Sequence, residues 1–215
     1  MNPFQTTGYI SPQYFCNRIP ETETLLSNVK NGRNSVLYGW RRLGKSALLW
    51  HVIYKLKKAK YQCIYIDLFG TKTMEQANKM MSQAVVEQGL KKTKITEKIS
   101  RLLGQLGASL TFDPYTAMPK VNFNVNASTE QSGEQNLQTL VSYLDQEYSN
   151  VVIVIDEFQQ IISYKEGINP EAIFRSVMQR FPKVRFVFSG SHRHLMLSIF
   201  INPTLPYRYF HYAAA

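Results

Sequence analysis

Cysteine is scarce in this sequence: Cys16 and Cys63 are the only two in 215 residues. They lie far apart, one in an irregular stretch and one inside an apolar run, with no metal-ligand spacing. A disulfide framework and a cysteine metal site are therefore excluded, and reduced structural thiols are expected. No apolar run approaches the ~18 to 20 residues that cross a bilayer, so no membrane span is expected. The start of the chain, Met1 to Thr7, lacks a basic segment followed by an apolar one, so no signal peptide is expected and the cytoplasm is the expected location. Acids are also few, 15 against 25 lysines and arginines, which leaves a net charge of +10 and a pI near 9.6.

Apolar residues are plentiful. A hydrophobic fraction of 44% is ordinary for a globular chain, and this length suits one large domain. The chain is organised around Ser35-Val36-Leu37-Tyr38-Gly39-Trp40-Arg41-Arg42-Leu43-Gly44-Lys45-Ser46. An apolar run leads into Gly39, Gly39 to Ser46 fits G-x-x-x-x-G-K-S/T, and Ala47-Leu48-Leu49-Trp50 continues as a helix. Strand, glycine loop and helix in that order is the context of a phosphate-binding loop. Gly39 and Gly44 let the backbone bring its N–H groups close to an anion. The helix beginning near Lys45 adds its own N–H groups and dipole. Lys45 is a point charge for the β- and γ-phosphates, and the Ser46 hydroxyl is a hard ligand for Mg²⁺.

The remaining elements follow from periodicity. Pro20 to Val29 reads as a short helix, Lys45 to Lys58 as a longer one, and Gln62 to Leu68 as an apolar strand. Residues 73 to 90 read as a helix whose methionines, Met74, Met80 and Met81, look like core filler. Ile95 to Leu106 has helical spacing, and Ser109–Phe112 with Val121–Val125 reads as a hairpin inserted between helices. A helix over Glu134–Tyr148 precedes Val151-Val152-Ile153-Val154-Ile155-Asp156-Glu157-Phe158, whose five branched apolar residues mark a central strand. A helix over Pro170–Phe181 and a strand over Val184–Phe188 complete the pattern.

Ligands of open α/β sheets bind at the carboxyl ends of strands, which places Asp156 to hold Mg²⁺ and Glu157 to deprotonate an attacking water. The strand at 184 to 188 runs into Ser189-Gly190-Ser191. Either serine suits contact with a γ-phosphate or water, and a plain turn is an equal reading. His192 and His194 read as a helix-start pair, not as metal ligands. The positive charge has two open readings, a nucleic-acid partner or a solvated surface around a nucleotide site. The small clusters Lys55-Lys57-Lys58-Lys60 and Lys91-Lys92-Lys94 suit helix C-termini.

Phe15-Cys16-Asn17-Arg18 with Glu21 and Glu23, Gly39 to Ser46, Ile155-Asp156-Glu157-Phe158-Gln159 and Ser189-Gly190-Ser191 together resemble the archaeal-type ATPase family, P-loop proteins of the AAA+ and STAND neighbourhood. The resemblance spans roughly residues 14 to 208. It implies a three-layer α/β/α P-loop fold with a mostly parallel five-stranded sheet, plus a small inserted hairpin and helix region near 91 to 135. It implies ATP and Mg²⁺ as bound groups. Phe15 and Arg18 would lie near the adenine, and Gly39, Trp40, Arg41, Arg42, Leu43, Gly44, Lys45, Ser46 and Ala47 would line the phosphates. Ser46 and Asp156 would hold the metal, Glu157 and Lys45 would act in catalysis, and Ser189 or Ser191 would be the sensor. Arg180 sits near the position of an arginine that serves a neighbouring subunit's ATP in some relatives.

The implied function is an ATP-hydrolysing switch or motor working on an attached domain or protein partner, in a homo-oligomer in some relatives. A nucleic-acid module with regulatory nucleotide binding is the alternative, and a P-loop kinase is weaker because no substrate-binding arginine segment is visible. The core is expected over 1 to 208, with Asn202 to Arg208 resembling the junction to a helical lid and 209 to 215 forming a truncated junction or tail. Without a lid, weak ATP binding and slow turnover are expected of the chain as given.

Overall fold

The computed structural model describes residues 8–90, 97–123, 133–164, 169–201 and 210–214. Its helices and strands follow in the order α1 (Ile19–Lys30), β1 (Asn34–Tyr38), α2 (Lys45–Lys58), β2 (Gln62–Asp67), α3 (Met74–Leu90), α4 (Glu97–Gln105), β3 (Ala108–Phe112), β4 (Pro119–Phe123), α5 (Gly133–Glu147), β5 (Val151–Asp156), α6 (Pro170–Arg180), β6 (Arg185–Gly190), α7 (Arg193–Ile201) and β7 (Phe210–Ala214). Among the described residues no helix is long and apolar enough to cross a membrane. The contacts group the chain into two units, one of residues Met1–Cys63, Asn150–Gln159 and Arg185–Ala215, the other of Ile64–Ser149 and Gln160–Val184.

The first unit is built on parallel strands in the order β5-β6-β1-β7. Val154 lies opposite Val187, and Leu37 opposite both Ser189 and Ala213. Every residue of β5 is buried, as its unbroken branched run requires of a strand covered on both faces. β2, the sheet's fifth strand, begins in this unit, where the Gln62 N–H donates to the Asn150 carbonyl at 2.8 Å. α1 packs on α2 and β1 through Leu25 and Val29, with Pro20 and Glu21 in its first turn, Lys30 in its last, and Gly32 left-handed just beyond (φ 73°). Phe200 of α7 joins Phe158 and Phe188 in an aromatic cluster with centroids 4.4 to 5.6 Å apart.

Two expectations change here. Ser189 and Gly190 extend β6 and do not form a turn after it. Residues 210 to 214, read as part of a junction or tail, form β7 at the edge of the sheet, where backbone pairing with β1 suffices. Asn202 to Arg208 lies outside the described residues.

The second unit holds α3 to α6 and the antiparallel hairpin β3–β4. The hairpin register sets Ala108 opposite Phe123 and Phe112 opposite Pro119, so β4 starts at Pro119, not at Val121. Proline fits there because the first strand residue needs no ladder donor. The side chain of Gln83 fastens β4 to α3, donating to the Pro119 carbonyl at 2.6 Å and accepting from the Val121 N–H at 2.8 Å. Asp113 Oδ1 closes the turn by accepting the N–H groups of Tyr115 and Thr116. Met74 and Met81 are core, as their spacing suggests, whereas Met80 is exposed. The stretch Lys91 to Ile95 and the ends of the expected hairpin, Asn124 and Val125, lie outside the described residues. Both cysteines are free: Cys16 is exposed, and burial pushes the Cys63 thiol up to about 12.

Candidate active site

The phosphate loop leaves β1 at Gly39, whose N–H donates to the Gly190 carbonyl of β6 at 3.4 Å. Its left-handed positions are Arg42 (φ 64°) and Gly44 (φ 74°), so Arg42, not Gly39, shares the tight turning with Gly44. α2 begins at Lys45 with Gly44 as its N-cap and no side chain capping its first N–H groups. Those donors are the ones a helix offers to an anion. Around them Trp40, Arg41, Arg42, Leu43 and Ser46 are exposed, Trp40 most of all at 79%, and Ala47 is half-buried.

Lys45 is buried and folds back over the loop, donating from Nζ to the Gly39 and Trp40 carbonyls at 2.9 Å each. Burial lowers the pKa of its ammonium below the usual lysine value, and the carboxylates of Glu157 and Asp156 oppose that shift. The Ser46 hydroxyl donates to Asp156 Oδ2 at 2.7 Å, joining two residues 110 positions apart. Asp156 is 2% exposed, and its other oxygen accepts the Glu157 N–H at 3.0 Å. A hydroxyl and a buried carboxylate converging on one point form a hard-oxygen pair of the kind that holds Mg²⁺ together with phosphate oxygens and water.

Glu157 is left-handed (φ 52°), which turns the chain sharply out of β5 while Phe158 stays anchored in the aromatic cluster. Its Oε2 accepts the Ser191 hydroxyl at 2.8 Å and the Gln159 side-chain amide. Ser191 is thus the serine brought to the carboxylate. Ser189 is wholly buried in β6, and its hydroxyl has no hydrogen-bond partner among the described residues. His192 caps the start of α7 and brings Nδ1 to 3.3 Å from Ser191 Oγ and 3.4 Å from Gln159 Nε2.

Beside the loop is a pocket of about 300 Å³ lined by Phe15, Arg18, Thr22, His51 and Lys55 among others. That is the lower end of the range for small-molecule sites. Phe15 stacks on His51 with centroids 4.2 Å apart and planes 14° from parallel. Burial, then the charge of Lys55, lower the pKa of His51, which favours the neutral, stackable ring. Arg18 reaches the loop itself, donating to the Leu43 carbonyl at 2.9 Å and to Glu21 at 2.7 Å. Arg180 belongs to the second unit, where it donates to Gln138 at 2.9 Å.

Gln159 entered the sequence reading only as the last residue of a motif, without a role, and His51 did not enter it. Gln159 carried no signal of its own, because Gln160 follows it and only contacts with distant residues tell the two glutamines apart. His51 had none, since its role comes from Phe15, which is 36 positions earlier.

A parallel sheet with this loop at the end of β1 and an acidic pair at the end of β5 defines a P-loop ATPase domain of the AAA+-like type. The sequence matches, over residues 15–202, the family described as an ATPase domain predominantly from Archaea, and the chain belongs to that family. Among solved structures it is similar to the Walker-type ATPase PABY2304 of Pyrococcus abyssi (TM-score 0.64, 17% identity, 99% of this chain and 57% of that one). It is also similar to the ORC2 protein of Aeropyrum pernix in its ADPNP and ADP complexes (0.57, 16%, 96% and 50%). The ORC1 protein of the same organism, in complex with DNA, is a further neighbour (0.53, 16%, 87% and 45%). At these identities the likeness shows the fold, and the chain spans roughly half the length of these structures. No curated protein matches the sequence.

Proposed function

We infer that the chain binds ATP with Mg²⁺ at the phosphate loop and hydrolyses it, acting as a switch or motor for an attached domain or partner. The observation that carries this is the bond between Ser46 and Asp156, which joins the loop to the acidic strand end and sets Glu157 beside the same site. Lys45, Gly44 and the N–H groups at the start of α2 take the phosphates, and Phe15 with the pocket around it takes the base. Ser46 and Asp156 hold the metal, which supplies charge neutralisation at the β- and γ-phosphates when bound. Glu157 accepts a proton from water as the water oxygen bonds to the γ-phosphorus. The bond from that phosphorus to the bridging oxygen breaks, and ADP and phosphate leave. Ser191, bonded to Glu157, is positioned to report the γ-phosphate to β6 and α7. Steady-state turnover of ATP with Mg²⁺ tests the reading, and a parent chain that binds ATP but never turns it over rejects the hydrolytic half.

One observation favours a second reading. The first unit carries 13 lysines and arginines against 4 acids, the second 12 against 11. The acids of the first unit, Glu21, Glu23, Asp156 and Glu157, all lie at α1's N-terminus or β5's C-terminus. Lys30, Arg33, Lys57, Lys58 and Lys60 lie at the opposite helix ends and are exposed. ATP at the loop does not account for those five. A nucleic-acid partner does, and its affinity then falls steeply with salt. Anisotropy with labelled DNA or RNA at low salt checks this, and no binding there rejects it. A role for Arg180 toward a neighbouring copy's ATP requires self-association and is checked by the concentration dependence of turnover in Arg180→Ala.

A further inference from the structure

The side chain of Gln159 contacts Glu157, and the role argued for it rests on the hydrolytic reading above. Gln159 is 7% exposed in the segment that follows β5, and its amide lies against Gly190. A Cβ at position 190 would stand 2.4 Å from Gln159 Oε1 and 2.4 Å from Met196 Sδ, so the missing side chain at Gly190 is the space the amide occupies. Gln159 Nε2 faces Glu157 Oε2, Ser191 Oγ at 3.3 Å and His192 Nδ1 at 3.4 Å, the last an acceptor in the tautomer protonated at Nε2. Turning the amide over would set its oxygen against a carboxylate, so these partners assign the orientation. Its two N–H groups then divide between Glu157 Oε2 and the Ser191–His192 pair, while the Ser191 hydroxyl gives its own proton to Glu157 Oε2. Gln159 Oε1 is left buried without a hydrogen-bond partner among the described residues. A fold seldom keeps such an acceptor for stability alone.

Both donors converge on one oxygen of Glu157. The other, Oε1, accepts no hydrogen bond among the described residues. We propose that Gln159 is a positioning residue for hydrolysis: its amide pins Glu157 by Oε2 and ties it to Ser191, which leaves Oε1 to take the proton of the attacking water. In this role Gln159 contacts neither nucleotide nor water. It acts through the carboxylate and couples it to the serine that meets the γ-phosphate.

The test is a double-mutant cycle in single-turnover hydrolysis at saturating ATP, with nucleotide affinity measured alongside. Gln159→Leu keeps the size and removes the donors. Hydrolysis is expected to fall roughly 10- to 100-fold with nucleotide affinity within about twofold of the parent. In the Glu157→Gln background the same change is expected to cost less than about twofold, because the group it positions is already disabled. Unchanged hydrolysis in Gln159→Leu, a parallel loss of nucleotide affinity, or a full further loss in the Glu157→Gln background overturns the proposal. A second readout needs neither turnover nor a folded Gln159→Leu. The side-chain amide signal of Gln159, identified by NMR through its proximity to Gly190 and Met196, is expected to move in Glu157→Ala and in Ser191→Ala. An amide signal unmoved in both overturns the proposal. A parent without ATP turnover in which the amide signal moves rejects the hydrolytic reading and leaves the bonding of Gln159 established.

Discussion

The two units spend their polar side chains differently. In the first, the buried charged groups Lys45 and Asp156 lie together at the loop and the adjoining strand end, with buried Gln159 and Ser191 beside them. In the second, polar contacts hold structure together. Gln83 fastens a hairpin, the Thr71 and Tyr164 hydroxyls meet at 2.7 Å, and Lys98 pairs with Glu147 at 2.7 Å on the surface. Burying charge costs several kcal/mol unless it is paired, so a fold that gathers buried charges in one place is using them for something other than stability. The same contrast appears in the net charge, about +9 for the first unit and +1 for the second.

Substitutions can sharpen or break that contrast. Lys45→Ala removes the loop's buried cation, and nucleotide affinity is expected to fall at least about 100-fold with thermal stability unchanged or raised. Isothermal titration checks the first and melting the second. Phe158→Ala empties the centre of the aromatic cluster beneath the acidic segment and is expected to cost about 3 to 5 kcal/mol in chemical denaturation. Gly190→Ala inserts a methyl into the space of the Gln159 amide. It is expected to lower hydrolysis roughly tenfold while nucleotide affinity changes little, the pattern of a displaced positioning group. Lys98→Ala, in the second unit, breaks an ion pair whose lysine is 60% exposed. It is expected to cost less than about 1 kcal/mol and to leave turnover unchanged. A Lys98→Ala effect on turnover as large as that of Gly190→Ala would erase the distinction between the units.

Much of the first unit was legible because its signals are local. Gly39 to Ser46 carries its loop chemistry in eight consecutive residues, and α2 spans Lys45–Lys58 as read, bounded by a glycine loop and a lysine cluster. The branched run of β5 announced a buried strand, and the two carboxylates at its end are the ones that meet Ser46 and Ser191. What was not legible depends on distant pairing. β7 is an edge strand ending in Tyr212-Ala213-Ala214, with no apolar alternation to mark it, and only β1 beside it makes it a strand. The start of β4 was read two residues late because Pro119 looked like a boundary when it is the first residue of the strand. Ser189 and Ser191 looked equivalent until β6 was seen to run through Gly190, which buries one and delivers the other to Glu157. Gln159 lies 32 positions from Ser191, too far for any spacing rule.

The most direct test of the account compares ATP hydrolysis by the parent and by Glu157→Gln, with Mg²⁺ present and nucleotide binding measured on the same samples. The amide keeps the shape of the carboxylate and cannot take the proton. Nucleotide affinity within about twofold of the parent, with hydrolysis reduced at least about 100-fold, is the expected result. Hydrolysis at the parent rate in Glu157→Gln would contradict it and move the base elsewhere.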